Sequence, residues 1–254
     1  MHILGDIGNT DTKLCLVSTK YKIIKKIIFP SKNLNQKKLS KYFISLKPNY
    51  QKINKILFCS VVPKSFNLIK KFLSKKTKIN CFEVKNLNLK SLIKIKVNYK
   101  QVGSDRITNA ISLINNKNNF IILDFGTATT FDVVDHDGAY IGGVIAPGVN
   151  LSLEALHQEA AALPHVDIAR PDRVIGKNTV MCMQSGVFWG YIGLLKEICE
   201  RIKTEHGSKM KIISTGGLGP LFQSAEKVFD EWKDDLTMHG LRLIFEHNKS
   251  SEVK

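Results

Sequence analysis

Two short motifs in this chain combine a carboxylate, a glycine and a hydroxyl at turn spacing. They are Asp6-Ile7-Gly8-Asn9-Thr10 and Asp124-Phe125-Gly126-Thr127, each directly after an apolar run. A glycine lets backbone approach an anion without a Cβ in the way. Successive turn N–H groups can then form a nest for phosphate oxygens, with the threonine hydroxyl as a further donor. An aspartate at the strand end can hold a hydrated Mg²⁺ that bridges phosphates. One such turn is also what an ordinary hairpin looks like. Here the pattern occurs twice, 124 − 6 = 118 residues apart, and a later apolar run ends in Gly216-Gly217. A third cluster, Gly103-Ser104-Asp105-Arg106, places an acid and a base side by side where a helix should begin. Ser104 or Asp105 could cap that helix.

The elements that must carry these groups follow from the apolar pattern. Residues 3–7 and 13–17 read as strands joined at Gly8 to Asp11, with a third strand over 23–29. Residues 36–46 read as a helix and 53–60 as a strand. In 65–74, Phe66, Ile69, Phe72 and Leu73 recur at helical spacing. A short strand over 81–84 and a polar stretch over 86–102 lead to the helix at Gly103. The opening pattern then returns at 120–127 and 129–134, with a turn at 135–138. Residues 142–148 read as a glycine-rich loop, 151–162 and 181–206 as helices, and 211–215 as a strand. Asn115 to Asn119 reads as a linker, so the expectation is a duplicated αβ domain divided into 1–118 and 119–254.

Composition limits the alternatives. The chain has 254 residues, 43% hydrophobic and 24% charged, which suits a globular protein large enough to bury a core without staples. No run of 18 apolar residues marks a membrane span. Asp6 and Asn9 interrupt the N-terminus where a signal peptide needs apolar residues, so a cytoplasmic location is expected. The five cysteines show no C-x-x-C spacing and the seven histidines no H-E-x-x-H, which argues against a disulfide framework or a zinc centre. The net charge of +16 is unevenly placed. Residues 1–120 hold 25 Lys and Arg against 4 Asp and Glu, and residues 121–254 hold 13 against 18. In the first half every basic residue but Arg106 is lysine. Base readers favour arginine for its bidentate fork, so a solvated lysine surface is expected rather than a specific nucleic-acid interface.

Two phosphate turns a domain apart, followed by a strand into Gly-Gly, resemble the actin, sugar-kinase and heat-shock-chaperone ATPase superfamily. That resemblance implies an α/β fold of two duplicated RNase H-like αβ domains with ATP bound in the cleft between them. Within it, one family is similar in detail. The residues are Asp6-Ile7-Gly8-Asn9-Thr10 with Lys13, Gly103-Ser104-Asp105-Arg106, Asp124 to Thr130, Gly142-Gly143 with Pro147-Gly148, Gly176-Lys177-Asn178-Thr179 leading to Gln184-Ser185-Gly186, and Thr215-Gly216-Gly217. They resemble type III pantothenate kinases over roughly residues 2–245. The departures are Asp11, an extra carboxylate in the first turn, and Lys100-Gln101-Val102 where the family often has proline.

The resemblance implies ATP-dependent phosphorylation of pantothenate to 4′-phosphopantothenate, the first step of coenzyme A biosynthesis. It implies Asp105 as catalytic base. Tyr99, Gly103, Ser104, Asp105, Arg106 and Thr179 would bind pantothenate. Asp6, Ile7, Gly8, Asn9, Thr10, Asp11, Thr12, Lys13 and Thr127 would bind ATP with Mg²⁺. Asp124 would hold a monovalent cation, K⁺ or NH₄⁺. A homodimer is implied too. Independently, Gly186, Gly190 and Gly193 fall on one face of the long helix, and each interior glycine costs about 1 kcal/mol relative to alanine. Another backbone close to that face would account for them, either a helix of the same chain or a second subunit. Two other readings of the whole chain stay open. One is a different small-molecule phosphotransferase of the superfamily. The other is a kinase-like regulator, which would be expected to have lost Asp105 or the phosphate turns; both are intact.

Overall fold

The computed structural model describes residues 1–223 and 227–249. In chain order its elements are β1 (His2–Ile7), β2 (Asp11–Val17), β3 (Ile23–Pro30), α1 (Gln36–Leu46), β4 (Lys55–Ser60), α2 (Pro63–Thr77), β5 (Cys81–Glu83), β6 (Lys94–Ile95) and α3 (Ser104–Ile111). They are followed by β7 (Asn119–Phe125), β8 (Ala128–Val134), β9 (Ala139–Pro147), α4 (Val149–Glu159), α5 (Thr179–His206), β10 (Met210–Gly216), α6 (Gly219–Gln223), β11 (Glu231–Trp232) and α7 (Leu236–Lys249).

The chain forms two compact units. The first comprises Met1–Ile114 with the C-terminal segment from Leu236, and the second comprises Asn115–Asp235. The first unit's sheet has the order β3-β2-β1-β4-β5. Strands β3, β2 and β1 are antiparallel, and β4 and β5 add in parallel. In the second unit the order β9-β8-β7-β10-β11 repeats it strand for strand. Again three antiparallel strands are followed by two parallel ones. The duplication read from the two aspartate motifs is therefore a duplication of sheet topology.

Each unit buries its own core. In the first, Ile3, Ile7, Leu14 and Phe58 of the sheet lie under Leu39 and Phe43 of α1 and Ile69 and Leu73 of α2. In the second, Ile121, Leu123 and Phe131 pack with Phe188, Ile192 and Leu195 of α5. Helix α5 starts at an Asn178 side-chain cap, whose Oδ1 accepts the Met181 N–H at 2.9 Å. It stops at Gly207 with φ +71, the left-handed C-terminal conformation that glycine adopts without penalty.

Three expectations change. The division is not at 118/119 with everything later in the second unit: the boundary falls at Ile114, and α7 belongs to the first unit. The reason is an apolar face. Leu236, Leu241, Ile244 and Phe245 are buried, and Thr237 Oγ1 donates to Asn109 Oδ1 of α3 at 2.8 Å. Residues 142–147 are not loop but part of β9, in which Gly142 and Gly143 pair with Val133 and Asp132. Gly142 has φ +135 beside a register shift, so these glycines mark a bulge in the strand. Helix α3 is capped by Gly103, not by Ser104 or Asp105.

Candidate active site

In the first unit the parallel strands bring three loop regions to the C-terminal end of β1. The turn after β1 is closed by the Gly8 N–H donating to Asp11 O at 3.0 Å. Asn9, Thr10 and Asp11 are exposed there, while Ile7 is buried. Thr12 is fully buried, with Oγ1 and Ser31 Oγ 2.8 Å apart. The Thr12 side chain thus braces β2 against the end of β3 rather than facing the turn. Lys13 is partly buried and stands in register with Asp6 across β1 and β2.

Helix α3 is moored to the end of β4 by one hydroxyl. Ser104 Oγ accepts the Ser60 N–H at 2.7 Å and donates to Ser60 O at 3.0 Å. With 1% of its surface exposed, Ser104 fixes the helix start. Asp105, in the first turn, accepts the Arg106 N–H on Oδ1 at 2.8 Å. A Cβ on Gly103 would overlap that same Asp105 Oδ1 and touch Val61. Glycine at 103 therefore creates the space the carboxylate occupies. Tyr99 lies in the 3-10 turn Tyr99–Gln101 just upstream.

The electrostatics tie Asp105 to Asp6. Burial, then the nearby Asp105 charge, pushes Asp6 up from 3.8 to about 6, against the opposing pull of the Cys59 thiol and Lys13. Burial also raises Asp105, opposed by the Arg106 N–H and charge and by Lys85. A buried carboxylate whose charge a second carboxylate disfavours, as Asp105 disfavours that of Asp6, attracts cations or protons. A partly buried carboxylate whose pKa burial raises is a stronger proton acceptor than a free one, which suits proton abstraction from a hydroxyl.

In the second unit Asp124 ends β7 in the position that Asp6 holds in β1. Its register partners are Thr130 of β8 and Thr215 of β10. Gly126 and Thr127 form the exposed turn that follows. The Pro147-Gly148 turn is laid directly on it, since a Cβ on Gly148 would overlap Thr127 O. Tyr191 of α5 fixes the pair from below: its hydroxyl bonds to Pro147 O and, at 2.7 Å, to Thr129 Oγ1. Gly216, at φ +89, turns against the Phe125 backbone, 2.5 Å from Phe125 O to a built Cβ. Trp232 Nε1 donates to Gly216 O at 3.2 Å. Thr179 is exposed, the first residue of α5. Gly186, Gly190 and Gly193 are exposed, and a Cβ built on any of them meets nothing within 4 Å. Among the described residues no backbone of the same chain covers that face.

Four neighbours of the first-unit site escaped the sequence reading: Cys59, Ser60, Glu83 and Lys85. Cys59 Sγ donates to Asp6 Oδ1 at 3.3 Å. Glu83, 9% exposed, accepts the Lys85 N–H on Oε2 at 2.7 Å. One signal was available for Glu83. The first 120 residues hold four acids, and the other three are Asp6, Asp11 and Asp105. Among the described residues no group of three His, Cys, Asp or Glu is arranged to hold a metal ion.

The chain is similar to known proteins over most of its length. The family model for type III pantothenate kinase matches residues 2–201. A type III pantothenate kinase from Pelagibacter ubique is 54% identical over 241 residues, covering 95% of this chain and 97% of that protein. The one from Roseobacter denitrificans is 65% identical over 153 residues, 60% of each chain. Among solved structures, a Campylobacter jejuni protein described as a Baf family transcriptional activator superimposes with a TM-score of 0.62 at 19% identity, covering 98% of this chain and 99% of that one. The activator of 2-hydroxyisocaproyl-CoA dehydratase from Clostridium difficile, solved with bound ADPNP, gives 0.59 at 10% identity over 100% and 98% of the two chains. The last two likenesses concern the fold.

Proposed function

The chain belongs to the type III pantothenate kinase family and is a phosphotransferase that phosphorylates pantothenate from ATP; we propose that Asp105 is the base of that reaction. The observation that carries the assignment is the space Gly103 leaves for the Asp105 carboxylate at the start of α3. From there Asp105 accepts the proton of the pantothenate hydroxyl as that oxygen bonds to the γ-phosphorus and the bond from that phosphorus to the β–γ bridging oxygen breaks, releasing ADP. Phosphoryl transfer needs positioning and charge neutralisation more than covalent help. Arg106 and Tyr99 hold the acceptor substrate, with Gly103 and Ser104 shaping the backbone around it; in the second unit we assign Thr179 to pantothenate binding. In the first turn Asp6, Gly8, Asn9, Thr10 and Lys13 take the ATP phosphates, Ile7 and Asp11 through backbone, and Thr12 by bracing β2. We assign Thr127 the same task in the second unit.

The donor set suits a divalent cation. Asp6 is a carboxylate raised by burial and by Asp105, and a cation relieves that penalty. With too few protein ligands for a closed cage, the site suits Mg²⁺, which Asp6 would hold. When bound it neutralises charge on the transferring phosphoryl group. Asp124, at the equivalent strand end, is the proposed seat of K⁺ or NH₄⁺.

We further propose a homodimer across the open glycine face of α5, beside Thr179, and a cytoplasmic location. No helix among the described residues is long and apolar enough to cross a membrane. The test of the central assignment is ATP-dependent phosphorylation of pantothenate by the wild type and by Asp105→Asn. A positioned base contributes about 10²–10⁴-fold, so turnover should fall by that order while ATP binding persists. Near-normal turnover by the Asn variant would remove Asp105 from the role.

A further inference from the structure

Lys85 is unlike the exposed lysines of this unit. It is partly buried in the short 3-10 turn Val84–Asn86 at the end of β5, a turn capped by Glu83. From there its side chain crosses to the segment that leads into α3. Nζ donates to Lys100 O at 3.0 Å and to Val102 O at 2.9 Å. The ammonium lies 5.5 Å from the centre of the Tyr99 ring, within cation–π range. The bracket closes in the other direction as well, because the Tyr99 hydroxyl donates to Lys85 O at 3.2 Å. One residue thus holds the ring, the hydroxyl and two carbonyls of residues 99–102, and the next residue is Gly103. A side-chain clamp here does what a fixed φ would otherwise do.

We propose that Lys85 is a positioning residue for the acceptor side of the reaction, holding Tyr99–Val102, and through it Gly103–Arg106, in the conformation that receives pantothenate. This rests on the reading of Tyr99 and Asp105 given above. It adds a residue that touches neither ATP nor the reacting atoms and acts through the loop it fixes. The Lys85 charge also favours the ionised form of Asp105, in the same direction as a role in preparing the base.

The test compares Lys85→Met and Lys85→Arg in the full-length enzyme, varying pantothenate at saturating ATP and ATP at saturating pantothenate. A loosened loop should raise the KM for pantothenate and lower kcat/KM for it about 10- to 100-fold, while the KM for ATP stays within about two-fold. Lys85→Arg keeps the charge and the N–H donors and should recover most of the loss. If Lys85→Met leaves the pantothenate KM unchanged, or raises both KM values together as the thermal midpoint falls, Lys85 is only a structural clamp and the proposal is overturned. Should the Met variant not fold, Lys85→Gln, which keeps two amide N–H donors and drops the charge, carries the same comparison. Asp105→Asn reads turnover, whereas Lys85→Met reads pantothenate KM. Normal turnover in Asp105→Asn with a KM effect in Lys85→Met would fault the base alone; the reverse pattern would fault Lys85 alone.

Discussion

Cys59 Sγ donates to Asp6 Oδ1 at 3.3 Å, from the position directly in register with it across the parallel strands β1 and β4. Burial and the adjacent Asp6 and Asp105 carboxylates hold Cys59 as the protonated thiol, so the donor role is stable at neutral pH. In the duplicated unit the residue in register with Asp124 across β7 and β10 is Thr215, also buried, with a hydroxyl where Cys59 has a thiol. Each strand-end aspartate is therefore backed by one small neighbour on the next parallel strand.

The strain on Asp6 predicts a pH effect on stability. With its carboxyl raised from 3.8 to about 6, the folded chain binds a proton that the unfolded chain has already released. Stability from this group therefore declines as pH rises through that window, and the full penalty is present above it. Asp6→Asn should be more stable than wild type at neutral pH by up to about 3 kcal/mol. The difference should vanish toward acid pH, while ATP turnover is lost. Urea unfolding at several pH values without nucleotide checks this. A variant less stable than wild type at neutral pH contradicts the charge penalty.

Gly103→Ala tests the geometry of the base. The backbone at 103 has φ −61, open to any residue, so the added methyl strains nothing locally. It would instead displace the Asp105 carboxylate. Stability should change by no more than about 1 kcal/mol, and kcat should drop by up to about 10²-fold from misplacement. Unchanged kcat would mean that Asp105 does not act from the position seen here.

A cation at Asp124 predicts salt specificity. Activity should rise with K⁺ or NH₄⁺ and respond weakly to Na⁺ at equal ionic strength. Asp124→Asn should flatten that response. Equal rates in all three salts would rule out a selective site there.

The α5 glycines predict an assembly effect. Because a Cβ at 190 meets nothing in this chain, Gly190→Leu should fold, and Gly190→Ala should gain about 1 kcal/mol of helix stability in an isolated subunit. If a second subunit packs on that face, Gly190→Leu shifts sedimentation toward monomer and weakens pantothenate binding more than ATP binding. A variant that remains dimeric with normal pantothenate affinity places the interface elsewhere.

The sequence by itself determined the parts whose cause is local along the chain. Turn glycines, strand-end aspartates and apolar periodicity are read within ten residues. The two motifs, Asp6 to Thr10 and Asp124 to Thr127, were legible for that reason, and so were the Gly103-Ser104-Asp105-Arg106 cluster and the duplication. Tertiary structure decided what parallel pairing and helix packing bring together from far apart. Cys59 reaches Asp6 across 53 residues, and Ser104 reaches Ser60 across 44. Lys85 meets Val102 only because β5 ends beside the start of α3. Glycines in β9 read as loop because a bulge needs the same backbone freedom as a turn. The place of α7 was not legible, because its buried face packs against α3, β1 and β4, which lie far from it along the chain. Register between distant strands is set by which faces can be buried together, and no window of sequence around one residue contains that information.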